Sequence, residues 1–118
     1  MTSDTATNSG TGSTTEPVSV DSSAALDELV ESDDVVLVDF YADWCGPCKM
    51  LEPVVERLAE EMPVTVAKVD VDVNQQLAAA YGVRGVPTLV LFAEGTQVEE
   101  LVGVQPEDQL RATIQSYT

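Results

Sequence analysis

Residues 35–49, VVLVDFYADWCGPCK, place a mainly apolar run just before two cysteines. Val35–Tyr41 is rich in β-branched residues, which is typical of a strand covered on both faces of a sheet. A helical pattern follows, starting at about Gly46. The sequence therefore predicts a buried strand, a short loop and a helix whose N-terminus carries Cys45.

The segment after the cysteines has the pattern of an amphipathic helix packed on a sheet. Its apolar positions recur at helical spacing: Leu51, Val54, Val55, Leu58, Ala59 and Met62. Charged residues fill the opposite side: Glu52, Glu56, Arg57, Glu60 and Glu61. Pro53 is expected to kink this helix, because proline removes a backbone donor and clashes with the preceding turn.

The other elements alternate along the chain. Strands are predicted at Val18–Val20, Val64–Val69, Thr88–Phe92 and Val98–Val102. Helices are predicted over 23–31, over 74–81 and from Pro106 onward. The first has Ser22 or Ser23 as its N-cap and an apolar stripe of Leu26, Leu29 and Val30. The last is expected to face inward with Leu110, Ile114 and Tyr117. Helical crossovers imply parallel pairing in the first part, and the Gly-containing link over residues 93–96 implies an antiparallel hairpin. The expected fold class is α/β, a mixed central β-sheet with helices on both faces.

The charge balance is strongly acidic: 21 acidic residues against five basic ones, no histidine, and a net charge of −16. Nucleic acid and anionic membranes are excluded as expected partners, because both would be repelled. An acidic surface can serve solubility alone. Adaptation to concentrated salt is the favoured interpretation, since at ~1 M salt the screening length falls to about 3 Å and crowded carboxylates stop repelling one another.

Residues 1–16, MTSDTATNSGTGSTTE, contain no periodic apolar residue and are predicted to be a disordered tail. Residues 17–118 are predicted to form one domain. No apolar run approaches the ~20 residues of a membrane helix. The start of the chain lacks the charged and apolar regions of a signal peptide. We therefore expect a cytoplasmic protein, and a monomer.

Only two cysteines are present, Cys45 and Cys48. Structural zinc normally needs four Cys or His ligands, so a zinc site would require a second subunit or carboxylate ligands. Buried thiols often only fill space, but rarely beside Gly-Pro at a strand-to-helix junction. The pair is therefore predicted to be redox-active, with no metal and no bound cofactor.

The expected chemistry follows from the position of Cys45 at a helix N-terminus. Free backbone N–H groups and the helix dipole stabilise a thiolate there, and thiolate is the attacking species in disulfide exchange. Gly46 and Pro47 make a tight first turn that lets Cys48 fold back on the same helix end. Cys45 is thus predicted to attack a substrate disulfide and Cys48 to resolve the mixed disulfide, which leaves a Cys45–Cys48 disulfide.

Two segments carry a resemblance to a known family. Val38–Lys49 resembles the active-site segment of thioredoxins, and Tyr81–Leu89, YGVRGVPTL, resembles their cis-proline loop. The similarity extends over about residues 18–117. It implies the thioredoxin fold, reduction of protein disulfides, and recharging by a thioredoxin reductase.

The resemblance also assigns roles to two charged residues that interrupt apolar strands. Burial is expected to raise the pKa of Asp39. By resemblance, Asp39 takes the proton from Cys48 through water, and Lys68 is its partner. A purely structural Asp39–Lys68 pair is the alternative. Because pairing would oppose desolvation, the sign of the net pKa shift stays open.

Further residues are implied to form the docking surface for substrate. By resemblance, Pro87 is a cis-proline facing the cysteines, although a trans proline starting a strand is the more probable state from the residues alone. Val86 would offer its backbone to the substrate chain. The complete implied surface is Trp44, Gly46, Pro47, Val86, Pro87 and Gly103.

Two other functions compete with a protein-disulfide reductant. A disulfide oxidase or isomerase on the same fold would be favoured by a histidine between the cysteines, but Gly46 and Pro47 stand there. A binding module would keep its role after both cysteines were replaced. An intact pair at a helix N-terminus is an unnecessary liability in a scaffold, so catalysis is favoured.

Overall fold

The computed structural model describes residues 15–118 and contains five strands and four helices in that range. In chain order they are β1 (Val18–Ser19), α1 (Ser23–Ser32), β2 (Val35–Tyr41), α2 (Gly46–Glu61), β3 (Thr65–Asp70), α3 (Gln75–Ala80), β4 (Thr88–Ala93), β5 (Thr96–Val102) and α4 (Glu107–Gln115). The predicted disordered tail, apart from its last two residues, lies outside the described residues. Within the described range, no helix is long and apolar enough to cross a membrane.

The five strands form one mixed sheet in the order β1-β3-β2-β4-β5. β3 pairs parallel with both β1 and β2, whereas β4 pairs antiparallel with β2 and β5. Glu94 and Gly95 form a two-residue turn between β4 and β5, and both have positive φ (51° and 83°), as such tight hairpins require. The predicted mixed sheet is confirmed.

The central strand β2 is buried on both sides, as its composition predicts. Because strand side chains alternate between faces, Val36, Val38 and Phe40 enter the core under α1 and α3. Val35 and Leu37 point to the other face, into the core with α2 and α4. Asp39 continues this second row, so the strand delivers a carboxyl group to the face covered by α2.

The element boundaries agree with the sequence predictions within about two residues, and the differences are local. Ser22 is the N-cap of α1, with its hydroxyl accepting a hydrogen bond from Ala25 N at 3.1 Å. β5 begins at Thr96, earlier than predicted, because the hairpin turn is only two residues long. Pro106 is the N-cap of α4 and precedes the helix. α2 runs through Pro53, where the predicted kink stays a prediction.

One inward-facing residue was predicted wrongly. Leu110 and Ile114 are buried on α4, as expected. Tyr117 lies beyond the end of that helix, is 37% exposed, and donates a hydrogen bond from its hydroxyl to Glu99 at 2.7 Å. Helical periodicity cannot orient a side chain once the helix has ended, which explains the error.

Candidate active site

The two cysteines lie at the N-terminus of α2, where the sequence places them. Cys45 is the N-cap residue, and its Sγ accepts a hydrogen bond from Cys48 N at 3.1 Å. The pair is joined as a disulfide, with a Cα–Cα distance of 5.2 Å. Both residues are nearly buried, in a small cluster with Ala42 that is flanked by Val86. The sulfur of Cys45 therefore receives the N–H donor and the dipole that stabilise a thiolate in the reduced state.

Asp39 is buried on the sheet face covered by α2 and is poorly compensated. Its side chain is 1% exposed, and Oδ1 receives no hydrogen bond from any residue in the range 15–118. Burial is the main reason that the pKa of Asp39 is raised from 3.8 to about 6; the charge of Lys68 opposes this rise and that of Glu52 adds to it. The sequence left open the sign of the net pKa shift of Asp39, and the structure shows an upward shift because desolvation outweighs the charge of Lys68.

Lys68 lies opposite Asp39 in the β2–β3 register but forms its ion pair elsewhere. Its ammonium group donates to Glu52 Oε2 at 2.8 Å and lies 4.4 Å from the centre of the Tyr41 ring. Burial lowers the pKa of Lys68, but the hydrogen bond and charge of Glu52, with Asp39, more than offset this, and the net pKa is raised. Lys68 therefore stays a cation next to Asp39.

A cleft of about 310 Å³ lies between Lys68, Glu52 and the resolving cysteine. Its walls include Cys48, Lys68 and Glu52, together with Tyr41, Ala42, Asp43 and Lys49. The space is lined in part by charged side chains and is large enough for several water molecules. It therefore offers a route for a proton between the cysteine pair and the solvent.

The loop before β4 approaches the cysteines from the other side. The Val86–Pro87 peptide bond is cis. Val86 packs against the cysteine cluster. Gly103 has φ of +87° and donates from its N–H to Pro87 O at 2.8 Å, so the end of β5 is tied to this loop. The structure thus brings Val86, Pro87 and Gly103 to the same end of the sheet as the pair.

Trp44 stands next to Cys45 and is the most prominent exposed aromatic residue of the site. Its ring is 71% exposed, while its Nε1 donates to Asp72 Oδ2 at 2.8 Å. Gly46 and Pro47 are exposed beside it. The hydrogen bond fixes the indole in place beside Cys45.

Two residues of this site escaped the sequence reasoning. Glu52 was placed among the charged residues of the solvent side of α2, and Asp72 was not singled out. Glu52 follows Cys48 by four residues, so it lies on the same helix face, and this spacing could have drawn attention to it. No sequence signal links Asp72 to Trp44, because the contact depends on how the loop after β3 folds.

In the range 15–118, no group of three or more His, Cys, Asp or Glu side chains is arranged to hold a metal ion. The redox-active group is the protein's own disulfide, Cys45–Cys48.

Comparisons with known proteins agree with this geometry. The family model described as Thioredoxin matches residues 17–116. A thioredoxin from Porphyra purpurea is 44% identical over 92 residues, which are 76% of this chain and 86% of that protein. The structure of a mutant thioredoxin from Halobacterium salinarum is 65% identical with a TM-score of 0.88, covering 92% of this chain and 96% of that one.

A second similar structure comes from work on the thiol-resolving mechanism of a yeast mitochondrial 1-Cys peroxiredoxin via glutathione/thioredoxin systems. It is 29% identical, with a TM-score of 0.80, and covers 86% of this chain and 96% of that one. Family model, relatives and site geometry agree on one assignment. The chain belongs to the thioredoxin family and is a protein-disulfide oxidoreductase that works through the Cys45–Cys48 pair.

Proposed function

We propose that Cys45 is the nucleophile and Cys48 the resolving residue in the reduction of protein disulfides. The Cys45 thiolate attacks one sulfur of the substrate disulfide, forms a mixed disulfide and releases the other sulfur as a thiolate. Cys48 then loses its proton and attacks Cys45 Sγ. This step releases the second substrate sulfur and leaves the Cys45–Cys48 disulfide, so two electrons pass to the substrate. The hydrogen bond from Cys48 N to Cys45 Sγ carries this assignment.

Asp39 is proposed as the base that accepts the proton of Cys48. Its pKa of about 6 leaves it mostly ionised at neutral pH yet more basic than an ordinary carboxylate, which suits a general base. The proton would travel through water in the cleft between Cys48, Lys68 and Glu52. Lys68 is proposed as the cation that balances the charge of Asp39.

The substrate chain is proposed to dock beside the disulfide, between the Trp44 ring and the cis-proline loop. Val86 would pair through its backbone with an extended peptide, and Gly103 offers no side chain to obstruct it. Gly46 and Pro47, which are exposed, would also contact the bound chain. Trp44→Ala should therefore raise KM for a protein disulfide more than it lowers kcat.

The dithiol mechanism is tested by the reduction of insulin disulfides in high salt with dithiothreitol as electron donor. Wild type should accelerate the precipitation of insulin chains, and Cys45→Ser and Cys48→Ser should not. Cys48→Ser should in addition accumulate a mixed disulfide with the substrate, because Cys45 can still attack. Folded wild type that gives no acceleration would shift the assignment to an oxidase or a scaffold.

The role of Asp39 is tested by the rate at which the mixed disulfide is resolved. Asp39→Asn removes the base without changing the size of the side chain and should slow this step by roughly 10²-fold at pH 7. The attack by Cys45 should change much less. Equal rates of resolution in wild type and Asp39→Asn would remove Asp39 from the mechanism.

Partners and habitat are proposed from charge and family. The oxidised pair would be recharged by a thioredoxin reductase, and the net charge of −16 suits a protein that works in concentrated salt. In dilute buffer, repulsion between carboxylates should lower the melting temperature, which should rise in multimolar KCl. An unchanged melting temperature would contradict salt adaptation. The cytoplasmic location and the monomeric state stay predictions.

A further inference from the structure

The ion pair between Lys68 and Glu52 is an unexpected feature of the site. Lys68 and Asp39 are register neighbours on β3 and β2, and their side chains face the same side of the sheet. A direct pair between them would satisfy Asp39. Instead, the Lys68 ammonium is 2.8 Å from Glu52 Oε2, and Asp39 Oδ1 has no hydrogen-bond donor among residues 15–118.

Two groups hold Lys68 in this position. Glu52 receives its hydrogen bond, and the Tyr41 ring lies under the ammonium at 4.4 Å, a cation–π contact. The Lys68 side chain is only 16% exposed, whereas that of Glu52 is 51% exposed. The cation is therefore held at the cleft wall, between the solvent and the buried carboxyl group.

Glu52 is placed to act on the chemistry of the cysteine pair without touching it. It follows Cys48 by four residues on α2, so both side chains line the same cleft. Charged groups near Asp39 come from two elements: Glu52 on α2 and Lys68 on β3. Asp43 and Lys49 also line the cleft, and the β4 residue opposite Asp39 is the apolar Leu89.

We propose that Glu52 is a positioning residue for the dithiol reaction: it holds the Lys68 ammonium at the cleft wall and so prevents this cation from pairing directly with Asp39. A directly paired Asp39 would be a weaker base towards Cys48. The negative charge of Glu52 acts in the same direction, since it also raises the pKa of Asp39. This inference rests on the proposed role of Asp39 as the base.

The decisive variant is Glu52→Gln, with Glu56→Gln as its matched control. Glu56 lies one turn further along α2, is exposed, and undergoes the same change of charge. The titration of Asp39 is followed by carboxyl NMR in the oxidised protein at fixed salt. Glu52→Gln should lower the midpoint by on the order of one pH unit, because the freed cation favours the ionised carboxyl group. Glu56→Gln should leave the midpoint unchanged.

Testing Glu52→Gln in a variant that lacks Lys68 separates the effect that Glu52 exerts through Lys68 from the direct effect of its charge on Asp39. Lys68→Met removes the cation, and Glu52→Gln added to Lys68→Met should then shift the Asp39 midpoint far less than it does in wild type. An Asp39 midpoint that stays the same in Glu52→Gln, or that moves equally in Glu56→Gln, would overturn the proposal. So would an undiminished shift in the Lys68→Met background.

The kinetic readout follows the resolving step over pH. In wild type its rate should rise with a midpoint near pH 6, and in Glu52→Gln this limb should move to lower pH together with the NMR midpoint. A merely structural role of Glu52 would change the rate at every pH alike. The NMR titration needs no turnover, so a failure of Asp39 as the base, detected with Asp39→Asn, is distinguishable from a failure of Glu52 to control Asp39.

Discussion

Two carboxyl groups of this protein lie near cations, yet their pKa values move in opposite directions. Burial raises the pKa of Asp39 to about 6, although Lys68 is close by. The pKa of Glu107 is lowered to about 2 by hydrogen bonds from Arg57 and Arg111, which clamp both of its oxygens between α2 and α4. Arg111 also bonds Glu61 at 2.6 Å.

The two carboxyl groups differ in solvent access and in whether they accept hydrogen bonds from the nearby cation. Glu107 keeps part of its hydration and gains two guanidinium partners, so its charged form is favoured. Asp39 is shielded from solvent, and the ammonium group of the nearby Lys68 donates to Glu52. The surface network joins two helices, whereas the active site keeps a carboxyl group under-compensated and therefore basic. Three of the five basic residues serve these two clusters.

The largest expected effect on stability is that of Asp39→Asn. The folded pKa of about 6 exceeds the ordinary 3.8, so the folded state binds more protons between these values, and the free energy of unfolding falls as pH rises through this window. At pH 8 the variant should be more stable than wild type by about 3 kcal/mol. Below pH 4 the gain should vanish. Urea unfolding of the oxidised proteins at both pH values measures this.

Removing a carboxylate from the surface network of Arg57, Glu61, Glu107 and Arg111 should lower the stability instead of raising it. The lowered pKa of Glu107 contributes stability that is present above pH 4.5 and lost as pH falls towards 2. Glu107→Gln should therefore lower the melting temperature at pH 7, by less than Asp39→Asn raises it, and should be neutral near pH 2. Glu60→Gln is the control, since Glu60 is exposed on α2 outside the network. Equal effects of the two variants would show that only net charge matters.

Salt should separate the two regions further. In multimolar KCl, the effect of Glu107→Gln on the melting temperature should shrink markedly, because exposed charges are screened. The stabilisation by Asp39→Asn should persist, since it comes from desolvation of a buried group. Unfolding curves of both variants in dilute buffer and in multimolar KCl make the comparison. A parallel loss of both effects would contradict the distinction between the two sites.

The sequence was sufficient for the fold and the cysteine pair because both depend on local patterns. The apolar run of Val35–Tyr41 and the periodicity after Gly46 locate the strand, the helix and the cysteines between them. The position of Asp39 within an apolar strand also predicts its burial. Glu52 could not be recognised as a member of the site, because its partner on β3 is brought to it only by the sheet register and the packing of α2.

The same limit applies to the pKa values and to residues beyond regular elements. The net shift of Asp39 depends on where the Lys68 ammonium lies, and a sequence does not say which of two nearby carboxylates it prefers. Tyr117 follows the end of α4, where helical periodicity no longer applies. Both the pKa shift of Asp39 and the exposure of Tyr117 depend on tertiary contacts.

The smallest expected effect concerns the ring beneath Lys68. Tyr41→Leu removes the cation–π contact at 4.4 Å and should cost about 0.5–1 kcal/mol at this partly exposed site. Tyr41→Phe keeps the aromatic face and should stay within about 0.5 kcal/mol of wild type. Chemical unfolding at pH 7 measures both values.

This pair of variants also tests what holds the cation in the active site. If the ring and Glu52 together keep Lys68 away from Asp39, the Asp39 midpoint in Tyr41→Leu should fall, in the same direction as in Glu52→Gln but by less, because the ion pair remains. Tyr41→Phe should leave that midpoint in place. A lower midpoint in Tyr41→Phe would instead assign the effect to the phenol group. The ring would then have no part in keeping the buried carboxyl group under-compensated, the property that distinguishes it from Glu107.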